Sequence, residues 1–119
     1  MTRANINYIY QDIGHASRTL FFYWNGDQYP QGIRDFYHVL DFINSDWSIK
    51  AFKTWIANNY ENGKVKNIIQ PKIYYTDGFI TDYSYVFENS SRTIKVFNWD
   101  KKIFDGNIKE FTTWIKKQK

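Results

Sequence analysis

Two closely spaced extended segments near the N-terminus constrain the fold more than any other part of the chain. Along residues 4–10 the side chains alternate between two faces, as they do along a β-strand. Residues 18–24 are apolar on both faces, which is typical of a strand in the interior of a sheet. Only a short turn separates the two segments, and they therefore predict a β-hairpin inside a sheet.

Two amphipathic helices are predicted to follow this hairpin. Pro30 suits the first turn of a helix, and apolar residues then recur at helical spacing over about residues 30–44. Ser48 can cap a second helix whose apolar stripe ends at Tyr60, and Gly63 lies where a C-terminal cap is expected. We expect both stripes to pack on one face of the sheet.

The second half of the chain predicts three more strands. Asp77-Gly78 is a strong hairpin-turn signal, and it joins a short strand before the turn to a longer one over residues 79–88. A turn at residues 89–91 leads into the last predicted strand, over residues 92–99.

A C-terminal helix completes the predicted order. Asn107 and Glu110 have the spacing of a capping box, and apolar residues follow at helical spacing. The fold class is therefore predicted to be α+β, in one domain over residues 1–119. It comprises an antiparallel sheet of about five strands, two helices inserted after the first hairpin, and the C-terminal helix.

Aromatic content and charge bear on what such a domain binds. Phe, Tyr and Trp together number 25 of 119 residues, and a small domain cannot hide all of these rings in its core. Some rings are therefore expected at a subunit interface or around a ligand. The net charge is +4, but residues 91–119 alone carry +5, which suits a phosphate-bearing partner.

The sequence also predicts a compartment. The chain has no Cys, which excludes disulfides, thiolate metal sites and a Cys nucleophile. It has neither an apolar run long enough to span a membrane nor a leader-like segment, so we expect a cytoplasmic protein that does not associate with membranes.

Catalytic and cofactor motifs are not recognisable. His15 and His38 form no metal-binding pair, the acidic residues are scattered, and the glycines form no phosphate-binding loop. The sequence therefore predicts no catalytic residue, metal or cofactor, and an enzyme is the least favoured class. The remaining signal is a set of rings, amides and cations at strand ends, which suits a nucleotide or a single strand of nucleic acid. Trp24 and Tyr29 bracket one loop, and Asn89 and Arg92 bracket another.

The N-terminal third resembles a group of small phage proteins. Their chains begin with Ser/Thr-Arg-Ala-x-Ile, and their second strand ends in His-Trp-Asp-Gly-Tyr-Pro-Glu-Gly. The later segment "DYSYVFE" is also similar to a strand of that group. The matching early positions are Thr2, Arg3, Ala4, Ile6, Trp24, Gly26, Tyr29, Pro30 and Gly32. The departures are Tyr23, Asn25 and Gln31 at substituted positions, and Asp27 and Gln28 as insertions.

Among phage proteins, the chain looks similar to the Thoeris anti-defence sponges, which sequester a cyclic ADP-ribose isomer and so silence a bacterial immune signal. This resemblance implies a non-enzymatic, cytoplasmic homo-oligomer, acting in an infected bacterial host cell, with a nucleotide pocket near a subunit interface. It further implies that Phe79 stacks on adenine and that Asn89 and Arg92 read polar and phosphate groups. Arg18 and Trp24 are then contributed by the N-terminal hairpin.

The resulting hypothesis is a phage counter-defence protein that binds a nucleotide-derived messenger without catalysis. Two alternatives remain open: an anti-CRISPR-type inhibitor that binds a host defence protein directly, and a small nucleic-acid-binding protein. Binding of nucleic acid is expected to weaken steeply with salt, and binding of a ligand enclosed in a pocket much less so.

Overall fold

A computed structural model defines the fold. It describes residues 3–11, 14, 17–24, 42–60, 64–73, 75–76 and 79–117. The strands in these ranges are β1 (Ala4–Gln11), β2 (Ser17–Trp24), β3 (Lys66–Ile68), β4 (Tyr75–Thr76), β5 (Phe79–Ile80), β6 (Tyr83–Glu88), β7 (Thr93–Asn98) and β8 (Lys101–Asn107). The helices there are α1 (Ile49–Asn59) and α2 (Ile108–Lys116). The fold class is α+β, as predicted.

The main sheet departs from the prediction in strand number and in direction. Six strands pair in the order β3-β2-β1-β6-β7-β8, while β4 and β5 pair with each other in a separate ladder. β1 is antiparallel to β2 but parallel to β6, so the expected antiparallel sheet of about five strands is instead a mixed sheet of six. A long connection that includes α1 separates β1 from β6, and such connections allow parallel pairing where a hairpin turn does not.

Hydrogen bonds at the start of β6 fix its direction. The backbone N–H groups of Asp82 and Tyr83 donate to the carbonyl of Arg3 at 2.9 and 3.2 Å. The N–H of Arg3 in turn donates to the Asp82 carboxylate at 2.9 Å. β1 and β6 therefore begin at the same end of the sheet and run in the same direction.

The C-terminal strands differ from the prediction in two further ways. The strand predicted over 79–88 is divided, because β5 belongs to the small ladder and β6 begins only at Tyr83. The sequence pattern also fails to predict β8, since Lys101 and Lys102 interrupt any apolar alternation. At the edge of a sheet such charges are tolerated, and pairing with β7 supplies the hydrogen-bond ladder. The turn predicted at residues 77–78 lies outside the described residues.

The aromatic core lies between one face of the sheet and α1. Tyr8 of β1 stacks on Phe52 of α1, with ring centroids 5.0 Å apart. Phe22 of β2 packs against Tyr60, just beyond the end of α1, also at 5.0 Å. Such ring pairs contribute about 0.5–1.5 kcal/mol each beyond the burial of their area. The stripe of α1 thus packs on the sheet as predicted.

Both helix N-termini are capped by the predicted residues. The Ser48 hydroxyl accepts a hydrogen bond from the Ala51 N–H at 3.0 Å and begins α1. Asn107 and Glu110 form the capping box of α2, with reciprocal bonds of 2.9 and 3.1 Å. Within the described ranges, no helix is long and apolar enough to cross a membrane.

The helix predicted over about 30–44 falls mostly on residues 30–41, which are outside the described residues, as is Gly63. Phe42 and Ile43, at the end of the predicted span, are helical and buried. Both contribute to the core next to α1; Ile43 belongs to the predicted apolar stripe, whereas Phe42 does not.

The opposite face of the sheet is also covered, in part by a polar contact. Asn7 is fully buried on this face. Its side-chain Nδ2 donates to the Lys72 carbonyl at 3.0 Å, and its Oδ1 accepts from the Lys72 N–H at 2.9 Å. The amide therefore pairs with the backbone much as a neighbouring strand would, and it holds this segment against the sheet. Phe21 and Phe22 point to opposite faces of β2 and are both buried, as predicted for an interior strand.

Candidate functional site

Two residues with left-handed backbone conformations meet at one end of the sheet. Trp47, in the turn before α1, has φ of 59°, and Arg92, in the turn between β6 and β7, has φ of 51°. The Arg92 Nη2 donates to the Asp46 carbonyl at 3.1 Å and so joins the two turns. This backbone conformation is costly for residues other than glycine, and it recurs at ligand-binding and catalytic sites. We call the group formed by Tyr8, Asp46, Trp47, Asn89 and Arg92 the Trp47 corner.

Hydrogen bonds hold Trp47 in this conformation. Its carbonyl accepts from the Asn89 Nδ2 at 2.6 Å and from the Tyr8 hydroxyl. Asn89 Nδ2 also donates to the Tyr8 hydroxyl at 2.7 Å. The indole Nε1 of Trp47, which is fully buried, donates to the Ile43 carbonyl at 3.0 Å. The donors of Asn89 are thus used to position the turn that carries Asp46 and Trp47.

The corner combines a neutral phenol with an anion and a cation. Burial raises the pKa of Tyr8, and the hydrogen bond from Asn89 offsets part of that rise. The pKa of Asp46 is lowered, chiefly by hydrogen bonds from Ser48, one of which joins the Ser48 N–H to Asp46 Oδ1 at 3.0 Å. At neutral pH the corner therefore presents a protonated Tyr8, an Asp46 carboxylate and the Arg92 guanidinium.

An open cavity of about 440 Å³, which we call the α1 groove, adjoins the corner at Asp46. Its size lies within the range of small-molecule sites. Trp55 lies in its wall, is only 5% exposed, and has an indole N–H for which the described residues supply no hydrogen-bond partner. Lys50 brings a positive charge to the groove. The lining residues are Phe42, Ser45, Asp46, Ser48, Lys50, Ala51, Thr54, Trp55, Asn58 and Asn59.

The structure brings three of the six predicted ligand-binding residues to the same end of the sheet. Asn89 and Arg92 belong to the corner, and the Asn89 N–H donates to the Ile9 carbonyl of β1 at 2.9 Å. Arg18 pairs with Tyr10, the next residue along β1.

The other three predicted residues lie elsewhere. Trp24 pairs with Ala4 at the opposite end of β2, six positions from Arg18, which corresponds to about 20 Å along a strand. Phe79 lies on β5, outside the main sheet. Tyr29 is outside the described residues. Trp24 and Arg18 of one chain therefore lie at opposite ends of β2.

Sequence reasoning did not identify Tyr8, Asp46, Trp47 or Trp55 as site residues. The run Asn44 to Ser48 has the polar composition of a turn, and Ser48 was identifiable as a helix cap. The sequence does not reveal that Trp47 adopts the left-handed conformation, because residues other than glycine rarely adopt it. Trp55 was readable as a core residue, but the missing partner of its N–H is visible only in three dimensions.

Comparison of the chain with protein-family models, with curated proteins and with solved structures gives no match. Within the described ranges, no group of three or more His, Asp or Glu side chains is placed to hold a metal ion.

Proposed function

We propose that this protein is a phage counter-defence protein that sequesters a nucleotide-derived immune signal, a cyclic ADP-ribose isomer or a cyclic nucleotide, without catalysis. The ligand lies in the α1 groove and extends to the Trp47 corner. The N-terminal resemblance supports the biological setting, and the groove supports a small-molecule ligand. The observation that carries the proposal is Trp55 in the groove wall, whose buried indole N–H has no hydrogen-bond partner among the described residues.

An unsatisfied buried N–H favours a ligand that brings an acceptor. Leaving such a donor without a partner costs about 1–3 kcal/mol, and that cost disappears when an acceptor binds to it. Nucleobases and ribose hydroxyls offer such acceptors. A shift of the Trp55 ring toward the groove would bring this N–H to a nucleotide acceptor, which a purely apolar ligand does not offer.

Charges around the groove suit phosphate groups. Arg92 uses Nη2 on the Asp46 carbonyl, and a guanidinium has five N–H donors in all, so it keeps donors for a phosphate. Lys50 lies in the groove wall and adds a second cation. The Asp46 carboxylate can accept from a ribose hydroxyl or an exocyclic amine.

A homo-oligomer is part of the proposal. The resemblance implies an oligomer, and a second copy of the chain is one way to bring Trp24 to the ligand of Arg18, which lies about 20 Å away along β2. We expect light scattering coupled to size exclusion to give a dimer or a larger assembly. A monomer at all concentrations contradicts this part of the proposal.

The function is tested with purified protein and a panel of cyclic nucleotides and cyclic ADP-ribose isomers. A tight ligand at one hundred times its dissociation constant raises stability by about 2.7 kcal/mol, which is read as a shift of the melting temperature. The mixture is then heat-denatured and the released compound is identified. Intact ligand supports sequestration, whereas a hydrolysed product refutes it. No shift with any compound refutes the proposal and favours direct inhibition of a host defence protein.

Two lysines of α1 supply a matched pair of variants. Lys50 lines the groove, whereas the exposed Lys53 on the same helix does not. We expect Lys50→Gln to reduce the ligand-induced shift and Lys53→Gln to leave it unchanged. Equal reductions would assign the effect to net charge and contradict placement of the ligand in the α1 groove.

A further inference from the structure

A second open cavity, of about 420 Å³, lies between β8 and α2 on a different part of the molecule. We call it the α2 groove. It is lined by Phe104, Lys109, Glu110, Thr113, Trp114 and Lys117. It shares no lining residue with the α1 groove. It also lies in the part of the chain with the largest excess of positive charge.

Its cations are not neutralised by neighbouring acids. Lys109 lies in the first turn of α2 and Lys117 caps its C-terminus; both are exposed, line the groove and form no ion pair with any described residue. They lie eight positions apart, which corresponds to about 12 Å along a helix. The one acid in the groove, Glu110, accepts from the Asn107 N–H at 3.1 Å as part of the capping box. The groove therefore keeps two cations available at a spacing fixed by α2.

Two rings form the apolar wall of the same groove. Phe104 of β8 and Trp114 of α2 pack together, with ring centroids 5.0 Å apart and planes inclined by 31°. Both side chains are only partly buried. A partly exposed tryptophan packed against a second ring is the type of platform on which an unpaired base stacks.

We propose that the α2 groove binds single-stranded nucleic acid, with Lys109 and Lys117 contacting phosphates and Trp114 stacking on a base. Cations alone suit any polyanion, but the ring pair between them selects a partner with exposed bases. A duplex keeps its bases stacked inside, so it cannot use the platform. This activity is separate from the proposed messenger site and does not depend on it.

The lysines are tested by fluorescence anisotropy of a short labelled oligodeoxythymidylate between about 50 and 200 mM salt. Each phosphate contact on a single strand contributes about 0.7 to the slope of log affinity against log salt. We expect the double variant Lys109→Gln/Lys117→Gln to lower the slope by about 1.4. The matched control, Lys53→Gln/Lys64→Gln, removes two exposed lysines elsewhere and leaves the slope unchanged. Equal effects of the two pairs, or no binding at low salt, overturn the proposal.

The ring platform is tested separately. We expect Trp114→Leu to weaken binding about fivefold or more, and Trp114→Phe, which keeps a ring, to retain most of the affinity. Thermal melting of both variants checks that α2 still packs. If Trp114→Leu unfolds, a competition experiment with the unchanged protein replaces it. Inorganic polyphosphate and duplex DNA, at equal phosphate content, are expected to displace the labelled oligonucleotide more weakly than an unlabelled single strand does. Equal competition by either one refutes recognition of bases.

Discussion

Replacing each of two buried tryptophans by phenylalanine tests whether the Trp55 N–H is unsatisfied in the free protein. Trp47 and Trp55 are 0% and 5% exposed and pack against the same Phe42 and Phe87 rings. Either substitution removes the same atoms from one aromatic cluster, so the loss of packing is similar. The two residues differ in their indole N–H groups: that of Trp47 donates to the Ile43 carbonyl at 3.0 Å, and that of Trp55 has no acceptor within the part of the chain that the structure describes.

The expected difference in stability follows from these hydrogen bonds. Trp47→Phe loses a buried hydrogen bond, which contributes about 1 kcal/mol. Trp55→Phe removes an unsatisfied donor and so recovers about 1–3 kcal/mol of its desolvation cost. On top of a similar packing loss, Trp47→Phe is therefore expected to be the less stable variant by about 2–4 kcal/mol.

Urea unfolding monitored by far-ultraviolet circular dichroism measures this difference, because tryptophan fluorescence is itself changed by the substitutions. Equal losses of unfolding free energy would show that Trp55 has a partner in solution and would remove the main support for the α1 groove as a ligand site. With a ligand bound, the difference in stability between the two variants is expected to narrow. Trp55→Phe is then expected to reduce the ligand-induced stabilisation by about 1–3 kcal/mol, because it has no unpaired donor for the ligand to satisfy.

Three further outcomes are expected from urea unfolding. Asn89→Ala should cost about 1–3 kcal/mol, because it removes the donors that hold the Trp47 carbonyl and Tyr8; a loss near zero contradicts the role assigned to the corner. Asn107→Ala should cost about 1 kcal/mol through loss of the α2 cap, and an unchanged stability argues against the capping box. Burial raises the pKa of Tyr85 well above its usual value. The contribution of Tyr85 to the free energy of unfolding should therefore be constant below about pH 10 and decrease at higher pH. Tyr85→Phe should lessen that decrease.

Local features of the fold were predictable from the sequence because their causes are local. Ser48 and the pair Asn107 and Glu110 begin helices through hydrogen bonds to residues three positions away. The strands around Asn7 and Phe21 follow from alternation and from apolar runs on both faces. In each case the residues that decide the structure are close together in the sequence.

Long-range features were not predictable for the converse reason. The direction of β6 relative to β1 depends on bonds between Arg3 and Asp82, and neither residue alone signals a partner. β8 is polar and forms because β7 offers an edge. At the candidate site, turn residues Asn89 and Arg92 were recognisable as polar groups at a strand end. Their contacts with the turn at Trp47 depend on packing between distant segments.

The parallel pairing of β1 with β6 has a consequence for how the chain folds. The hairpin of β1 and β2 and the meander of β6, β7 and β8 consist of contacts between near neighbours in the sequence, and such contacts form quickly. Joining them requires contact between Arg3 and Asp82, which are 79 positions apart in the sequence. Closing that loop costs chain entropy before the remaining contacts of the sheet can form. We therefore expect two rapidly formed halves and a slower docking step, during which the open edges of β1 and β6 are the surfaces most exposed to aggregation.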